Sequence, residues 1–140
     1  MTKRIASILV AVLLVSTPLL AHVTIAPGQS KLGATETYTA RVPSEGGKTT
    51  TSVTLQVPDG VTVVSVSAPE GAKHSEQKVG DRVVSVTWTI AIKPGASAAL
   101  SFVAKNPTVG ESITWKLQQQ YTEGAASSWT PATKLLPAHD

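Results

Sequence analysis

The sequence contains no cysteine, and its only methionine is Met1. A disulfide framework and a thiolate metal site are therefore excluded. Any metal that the processed protein binds must be held by nitrogen and oxygen atoms, which argues against a dedicated Cu(I) site, since Cu(I) prefers thiolate and thioether ligands. Long apolar runs are also scarce: beyond the N-terminal segment, no stretch approaches the ~20 residues needed to span a bilayer.

The N-terminal segment has the three parts of a secretory signal peptide. Lys3 and Arg4 provide a positively charged start, an apolar stretch follows, and Pro18 and a small residue precede the expected cleavage site. We expect residues 1–21 to be removed on export to the periplasm or the extracellular space, so that His22 becomes the first residue. The alternative is an uncleaved membrane anchor, for which the apolar run is short.

Removal of the signal peptide brings the net charge close to zero. The whole sequence has 12 basic and 9 acidic side chains. Since Lys3 and Arg4 are lost with the signal, ten basic and nine acidic side chains remain, a net charge of +1. The mature chain has no basic cluster with which to bind nucleic acid or an anionic membrane.

Apolar and polar residues alternate with a period of two through the mature chain, which predicts half-buried β-strands. Trp88 and Trp115 lie on the apolar faces of two such runs and are expected in the core. Turns with glycine or proline separate the runs, and no segment has a sustained helical period. The pattern predicts one domain, residues 22–140, with an all-β, immunoglobulin-like β-sandwich fold of seven to eight strands. The expected strands span residues 22–28, 35–43, 50–58, 61–68, 76–92 (with a possible division at Gly80-Asp81), 97–105, 111–122 and 130–136.

Cleavage before His22 would leave a free α-amine beside an imidazole. The amine nitrogen and the ring Nδ1 can bind one metal ion together and close a six-membered chelate. Amines of this kind and imidazoles lose their protons near neutral pH. Two nitrogen donors in a plane suit Cu(II), which stands at the top of the divalent affinity series. Taken alone, the pattern leaves open that His22 is simply where the peptidase cuts.

Three parts of the sequence resemble a known family. Ala-His-Val-Thr-Ile-Ala-Pro crosses the cleavage site, and Thr-Glu-Thr-Tyr-Thr-Ala-Arg-Val-Pro follows at residues 35–43. The closing part, residues 113–124 and 127–132, includes Trp-Thr-Pro-Ala. Together these motifs resemble the YcnI-like family of exported bacterial copper-binding domains, and the resemblance covers essentially the whole mature chain.

The resemblance implies a single-histidine brace, in which the amine and ring of the first mature residue chelate Cu(II). Carried onto this sequence, the metal ligands are His22 and the carboxylate of Glu36, and Trp129 covers the site. Glu36 begins the strand after the N-terminal one, where a hairpin would place it beside His22. The alternatives are a solvated carboxylate for Glu36 and, for Trp129, a plug at one end of the sandwich.

The expected function is that of a copper-binding protein, not an enzyme, which buffers Cu(II) or passes it to a membrane copper transporter or a cuproenzyme. No nucleophile elbow, phosphate-binding loop or paired-carboxylate motif is present. Two alternatives stay open: a secreted copper-dependent oxidative enzyme, and a metal-free immunoglobulin-like adhesion or assembly module. His74 and His139 are expected to be solvated.

Overall fold

The structure, a computed structural model, describes residues 22–138. The predicted signal peptide and His139 lie outside the described residues. The regular secondary structure of residues 22–138 consists entirely of β-strands. The strands are β1 (Thr24–Ala26), β2 (Gln29–Lys31), β3 (Thr35–Pro43), β4 (Thr50–Gln56), β5 (Thr62–Val66), β6 (Lys73–Val79), β7 (Arg82–Ile92), β8 (Ser97–Lys105), β9 (Ser112–Thr114), β10 (Lys116–Tyr121), β11 (Ser127–Trp129) and β12 (Ala132–Leu136).

Two sheets form a β-sandwich. The four-stranded sheet has the order β1-β3-β8-β5, and the five-stranded sheet has the order β11-β10-β4-β7-β6. A small third sheet has the order β2-β12-β9, and in it β12 runs parallel to β2. The predicted all-β sandwich is therefore confirmed. No helix among residues 22–138 has the length and hydropathy required to cross a bilayer.

The described residues contain more strands than the sequence predicts, because several long runs are divided. The run 76–92 is a hairpin of β6 and β7, which turns at Gly80-Asp81, where a possible division was expected. The run 111–122 changes partners part-way: β9 pairs with β12, whereas β10 pairs with β4. At the change, the backbone N–H of Trp115 donates to the carbonyl of Pro131. Alternation along the run continues through Trp115, so periodicity alone does not reveal this change of sheet.

Large aromatic side chains fill the space between the two main sheets. Trp88, Trp115, Tyr38 and Phe102 are fully buried, which confirms the core positions expected for the two tryptophans. The Trp115 ring centroid lies 4.8 Å from that of Tyr38 and 5.4 Å from that of Phe102, the latter edge to face. These separations are typical of favourable aromatic packing. The third tryptophan, Trp129, is only partly buried and packs against the margin of this core.

The register of β1 determines where the N-terminal residue of the described chain lies. β1 pairs antiparallel with β3, so that Thr24 is opposite Arg41 and Ala26 is opposite Thr39. His22, which precedes β1, therefore lies next to Pro43 at the carboxyl end of β3. β1 is an edge strand of the four-stranded sheet and β11 is an edge strand of the five-stranded sheet. His22, just before β1, and Trp129, at the end of β11, meet on one side of the sandwich.

Candidate metal centre

The side chains of His22 and Trp129 are in contact. Their ring centroids are 5.5 Å apart and their planes are at 78°, an edge-to-face arrangement. The imidazole is exposed and the indole is half-buried. The structure thus brings together the residue expected to chelate the metal, His22, which precedes β1, and the residue expected to cover it, Trp129, at the end of β11.

Glu45, in the turn after β3, borders the same region. Glu45 and Arg41 line a cleft of about 340 Å³ together with His22. Glu45 and Lys48 line a second cleft, of about 280 Å³, together with Trp129. His22 and Trp129 share a third, of about 530 Å³. Each pair within the set His22, Glu45 and Trp129, hereafter the candidate site, therefore borders a common cleft.

Glu36 is at the other end of β3, which corrects the expected placement beside His22. In an antiparallel pair, the first residue of one strand faces the last residue of the other. His22 consequently lies beside Pro43, and seven residue steps, roughly 23 Å at about 3.3 Å per residue, separate Pro43 from Glu36. Glu36 Oε2 instead accepts a hydrogen bond from Ser30 Oγ at 2.9 Å. The chain between β1 and β3 contains β2, so these two strands do not form the expected hairpin.

Glu36 belongs to a polar network that extends into the core. The hydroxyl of Tyr38 donates to Asn106 Oδ1 at 2.5 Å, and Asn106 Nδ2 donates to Ser30 Oγ at 2.9 Å. Burial raises the pKa of Tyr38, and the negative charge of Glu36 acts in the same direction, against the lowering effect of the hydrogen bonds that Tyr38 makes with Ser30 and Asn106. The network connects β2, β3 and the end of β8, and it accounts for the partly buried position of Glu36.

Glu45 belongs to the candidate site but was not among the site residues expected from the sequence. In the sequence, Glu45-Gly46-Gly47 has the residue types of a turn directly after a strand that ends at Pro43. The structure confirms the turn, in which Lys48 N–H donates to the Glu45 carbonyl at 3.4 Å. What the sequence did not show is that this end of β3, and not its beginning, lies beside His22.

The remaining described histidine is far from the candidate site in the fold. His74 is on β6, the edge strand opposite β11 in the five-stranded sheet. It is exposed, as expected, and its Nδ1 lies 2.9 Å from Glu76 Oε1 on the same strand.

The donor set at the candidate site fits Cu(II) only if the backbone contributes. Among residues 22–138 there is no group of three or more His, Cys, Asp or Glu side chains able to hold a metal. The imidazole of His22 and the carboxylate of Glu45 provide one nitrogen and one oxygen donor. A free α-amine on His22 would add a second nitrogen, and nitrogen and oxygen donors are those that Cu(II) accepts.

Comparison with known proteins identifies the family. Residues 22–139 match the family described as a domain of unknown function, DUF1775. The chain belongs to this family. The copper-binding protein CutI of Bacillus subtilis (strain 168) is 38% identical over 138 residues, which cover 93% of this chain and 68% of CutI. This similarity confirms that the domain is YcnI-like.

The fold of this YcnI-like domain also has a solved counterpart. A crystal structure of an uncharacterized protein from Nocardia farcinica, described as having an immunoglobulin-like fold, superposes with a TM-score of 0.71. The two sequences are 22% identical, and the match covers 81% of this chain and 97% of the other. At this identity the comparison supports the fold and carries no information on ligands.

Proposed function

We propose that this YcnI-like domain is an exported Cu(II)-binding protein that buffers copper or passes it on, with the ion held by a single-histidine brace. The observation that carries the proposal is the contact between His22 and Trp129 at a position also bordered by Glu45. A histidine that signal cleavage would expose and a tryptophan from near the other end of the chain meet beside a carboxylate.

His22 would supply two donors, its α-amine and its Nδ1, and Glu45 would supply the oxygen donor in place of Glu36. A carboxylate suits this position because its negative charge offsets that of the metal. Trp129 would cover one side of the ion and limit the access of water. The exposure of His22 supports reversible loading, since incoming and outgoing ligands can reach the imidazole from solvent.

The similarity to CutI supports copper as the metal, because that protein is named for copper binding and is 38% identical to this chain. The absence of sulfur from the mature sequence favours Cu(II) over Cu(I). Buffering or transfer to a membrane copper transporter or a cuproenzyme, in the periplasm or outside the cell, would follow from export and from ligand exchange at an exposed site.

The proposal is tested by blocking the α-amine. The mature protein beginning at His22 is compared with the same protein acetylated at the α-amine of His22. Isothermal titration with Cu(II), with the ion delivered as a weak complex, is expected to show one tight site in the first protein. Acetylation removes the amine from the chelate, so affinity should fall by roughly 100-fold or more, about 2.8 kcal/mol.

Circular dichroism and the thermal midpoint of the two metal-free proteins provide the control, and we expect them to agree. Equal tight binding by both proteins would exclude the brace. Binding by neither would leave a metal-free immunoglobulin-like module as the better description. The brace also requires that the mature chain begin at His22, and mass spectrometry of the protein exported by its native host tests this requirement.

A further inference from the structure

A buried amide lies directly beneath the candidate site. Gln119 is on β10 and only 1% exposed. Its side chain is on the inner face of the sheet, between Trp129 and the end of β3 that leads to Glu45. The preceding inward-facing residues of the same run, Leu117 and Trp115, are also buried. A buried amide is costly unless its donors and acceptor are paired, so its presence at a position suited to an apolar side chain needs a reason.

Gln119 is paired at both ends of its amide. Its Oε1 accepts a hydrogen bond from Trp129 Nε1 at 3.0 Å. Its Nε2 donates to the carbonyl of Pro43 at 2.9 Å and to Thr50 Oγ1 at 2.8 Å. An indole N–H can only donate and a backbone carbonyl can only accept, so these two partners together determine which end of the amide carries the oxygen.

The hydrogen bonds continue from Thr50 to the turn that carries Glu45. Thr50 Oγ1 and Ser44 Oγ are 2.8 Å apart, and Ser44 Oγ donates to the carbonyl of Lys48 at 2.7 Å. Since the Ser44 hydroxyl proton is used on Lys48, Thr50 must be the donor to Ser44. Thr50 and Ser44 are both fully buried.

The result is a chain of hydrogen bonds with one direction throughout. It begins at the indole N–H of Trp129, passes through Gln119, Thr50 and Ser44, and ends at the carbonyl of Lys48. Donors that point the same way along a buried chain strengthen one another. Because the turn between Ser44 and Lys48 contains Glu45, the hydrogen bonds connect the tryptophan of the candidate site to the turn that carries Glu45.

We infer that Gln119 is a positioning residue, whose amide holds the indole of Trp129 against His22 and, through Thr50, holds the turn that presents Glu45. The inference rests on the proposed copper site for its functional consequence, but the positioning itself is a property of the metal-free protein. Preorganised supports of this kind around a metal site typically change affinity by roughly 10- to 100-fold when removed.

The main test variant is Gln119→Leu, which keeps approximate volume and removes every hydrogen bond of the amide. Two-dimensional NMR of the metal-free protein is expected to show altered shifts and faster hydrogen exchange for the Trp129 indole N–H and for the amides of residues 44–48. Cu(II) affinity should fall by roughly 10- to 100-fold, and the Cu(II) EPR spectrum should change because the ligand geometry is less well defined.

Two controls separate positioning from general stability. Gln118→Leu changes an exposed glutamine next to Gln119 and should leave all these readouts unchanged. Thr54→Val removes the 3.0 Å hydroxyl contact between Thr54 and Thr87, elsewhere in the same sheet. It should lower the thermal midpoint but leave Cu(II) affinity and the Trp129 indole signal as in the wild type.

Thr50→Val provides a second route should Gln119→Leu fail to fold. It cuts the chain between Gln119 and Ser44, so the amides of residues 44–48 should shift while the indole N–H of Trp129 stays protected. Wild-type Cu(II) affinity and EPR spectra in a folded Gln119→Leu protein, or unchanged amides of residues 44–48 in both variants, would overturn the inference. If the wild-type protein does not bind Cu(II), the copper proposal fails, and the NMR comparison still decides whether Gln119 positions the turn.

Discussion

Ser30 Oγ donates a hydrogen bond of 2.9 Å to Glu36 Oε2, and this contact holds Glu36 at the end of the sandwich opposite His22. Ser30 is itself buried and also accepts a hydrogen bond from Asn106. The carboxylate of Glu36 is therefore part of the structure that joins β2 to β3. Glu45, at the other end of β3, is the carboxylate that borders the clefts around His22 and Trp129.

The two glutamates are expected to respond differently to the same substitution. Glu45→Gln should weaken Cu(II) binding by roughly tenfold or more, about 1.4 kcal/mol, because it removes an anionic donor. Glu36→Gln should leave Cu(II) affinity within roughly twofold and lower stability slightly, since the amide cannot replace a charged acceptor of the Ser30 hydroxyl fully. Isothermal titration measures the Cu(II) affinity of both variants, and thermal unfolding measures their stability. The opposite order of affinities would restore Glu36 as the ligand.

Cu(II) affinity is expected to fall as the pH falls from 7.5 to 5. Protons compete with the metal for the amine and the imidazole of His22, so metal binding must release protons. Titrations at the two pH values, with buffers that do not bind copper, measure the difference. The protein acetylated at the α-amine provides the comparison, and its affinity should depend less on pH, because the amine no longer takes part. An affinity that is the same at both pH values would contradict the brace.

Stability at alkaline pH is expected to depend on Tyr38. Burial raises the pKa of its phenol, so the folded protein keeps the proton at a pH where the unfolded chain, with an ordinary value of about 10, loses it. The contribution to stability is therefore complete below pH ~10 and is lost progressively as the pH rises above that value. The free energy of unfolding in urea, measured between pH 8 and pH 11, should fall in the wild type.

Tyr38→Phe is the matched variant for this measurement. At pH 8 it should be less stable by about 1–3 kcal/mol, because Asn106 Oδ1 loses its hydroxyl donor in a buried position. Above pH ~10 the difference from the wild type should narrow, since the variant has no phenol to ionise at this position. Tyr121 is present in both proteins and does not affect the comparison. If the free energy of unfolding fell equally with pH in the two proteins, Tyr38 would not be the cause of the lost stability.

Most of the strand content of this domain could be predicted from the sequence. Alternation places Trp88 and Trp115 on apolar faces, and both are fully buried. Trp129 occurs in a polar segment, and the structure places it at the margin of the core beside His22. The division of the run around Trp115 between two sheets could not be predicted, because the pattern of inward and outward residues is the same on either side of it.

What the sequence by itself determined is which side chains face inward, since the two-residue repeat of an extended chain acts over neighbouring positions. The tertiary structure alone decided which ends of strands come together. The antiparallel register of β1 with β3 places Glu45, and not Glu36, near His22. The buried amide of Gln119 acquires its partners only when β3, β4 and β11 assemble around it. Register and assembly depend on contacts between residues distant in the chain, and local periodicity does not encode them.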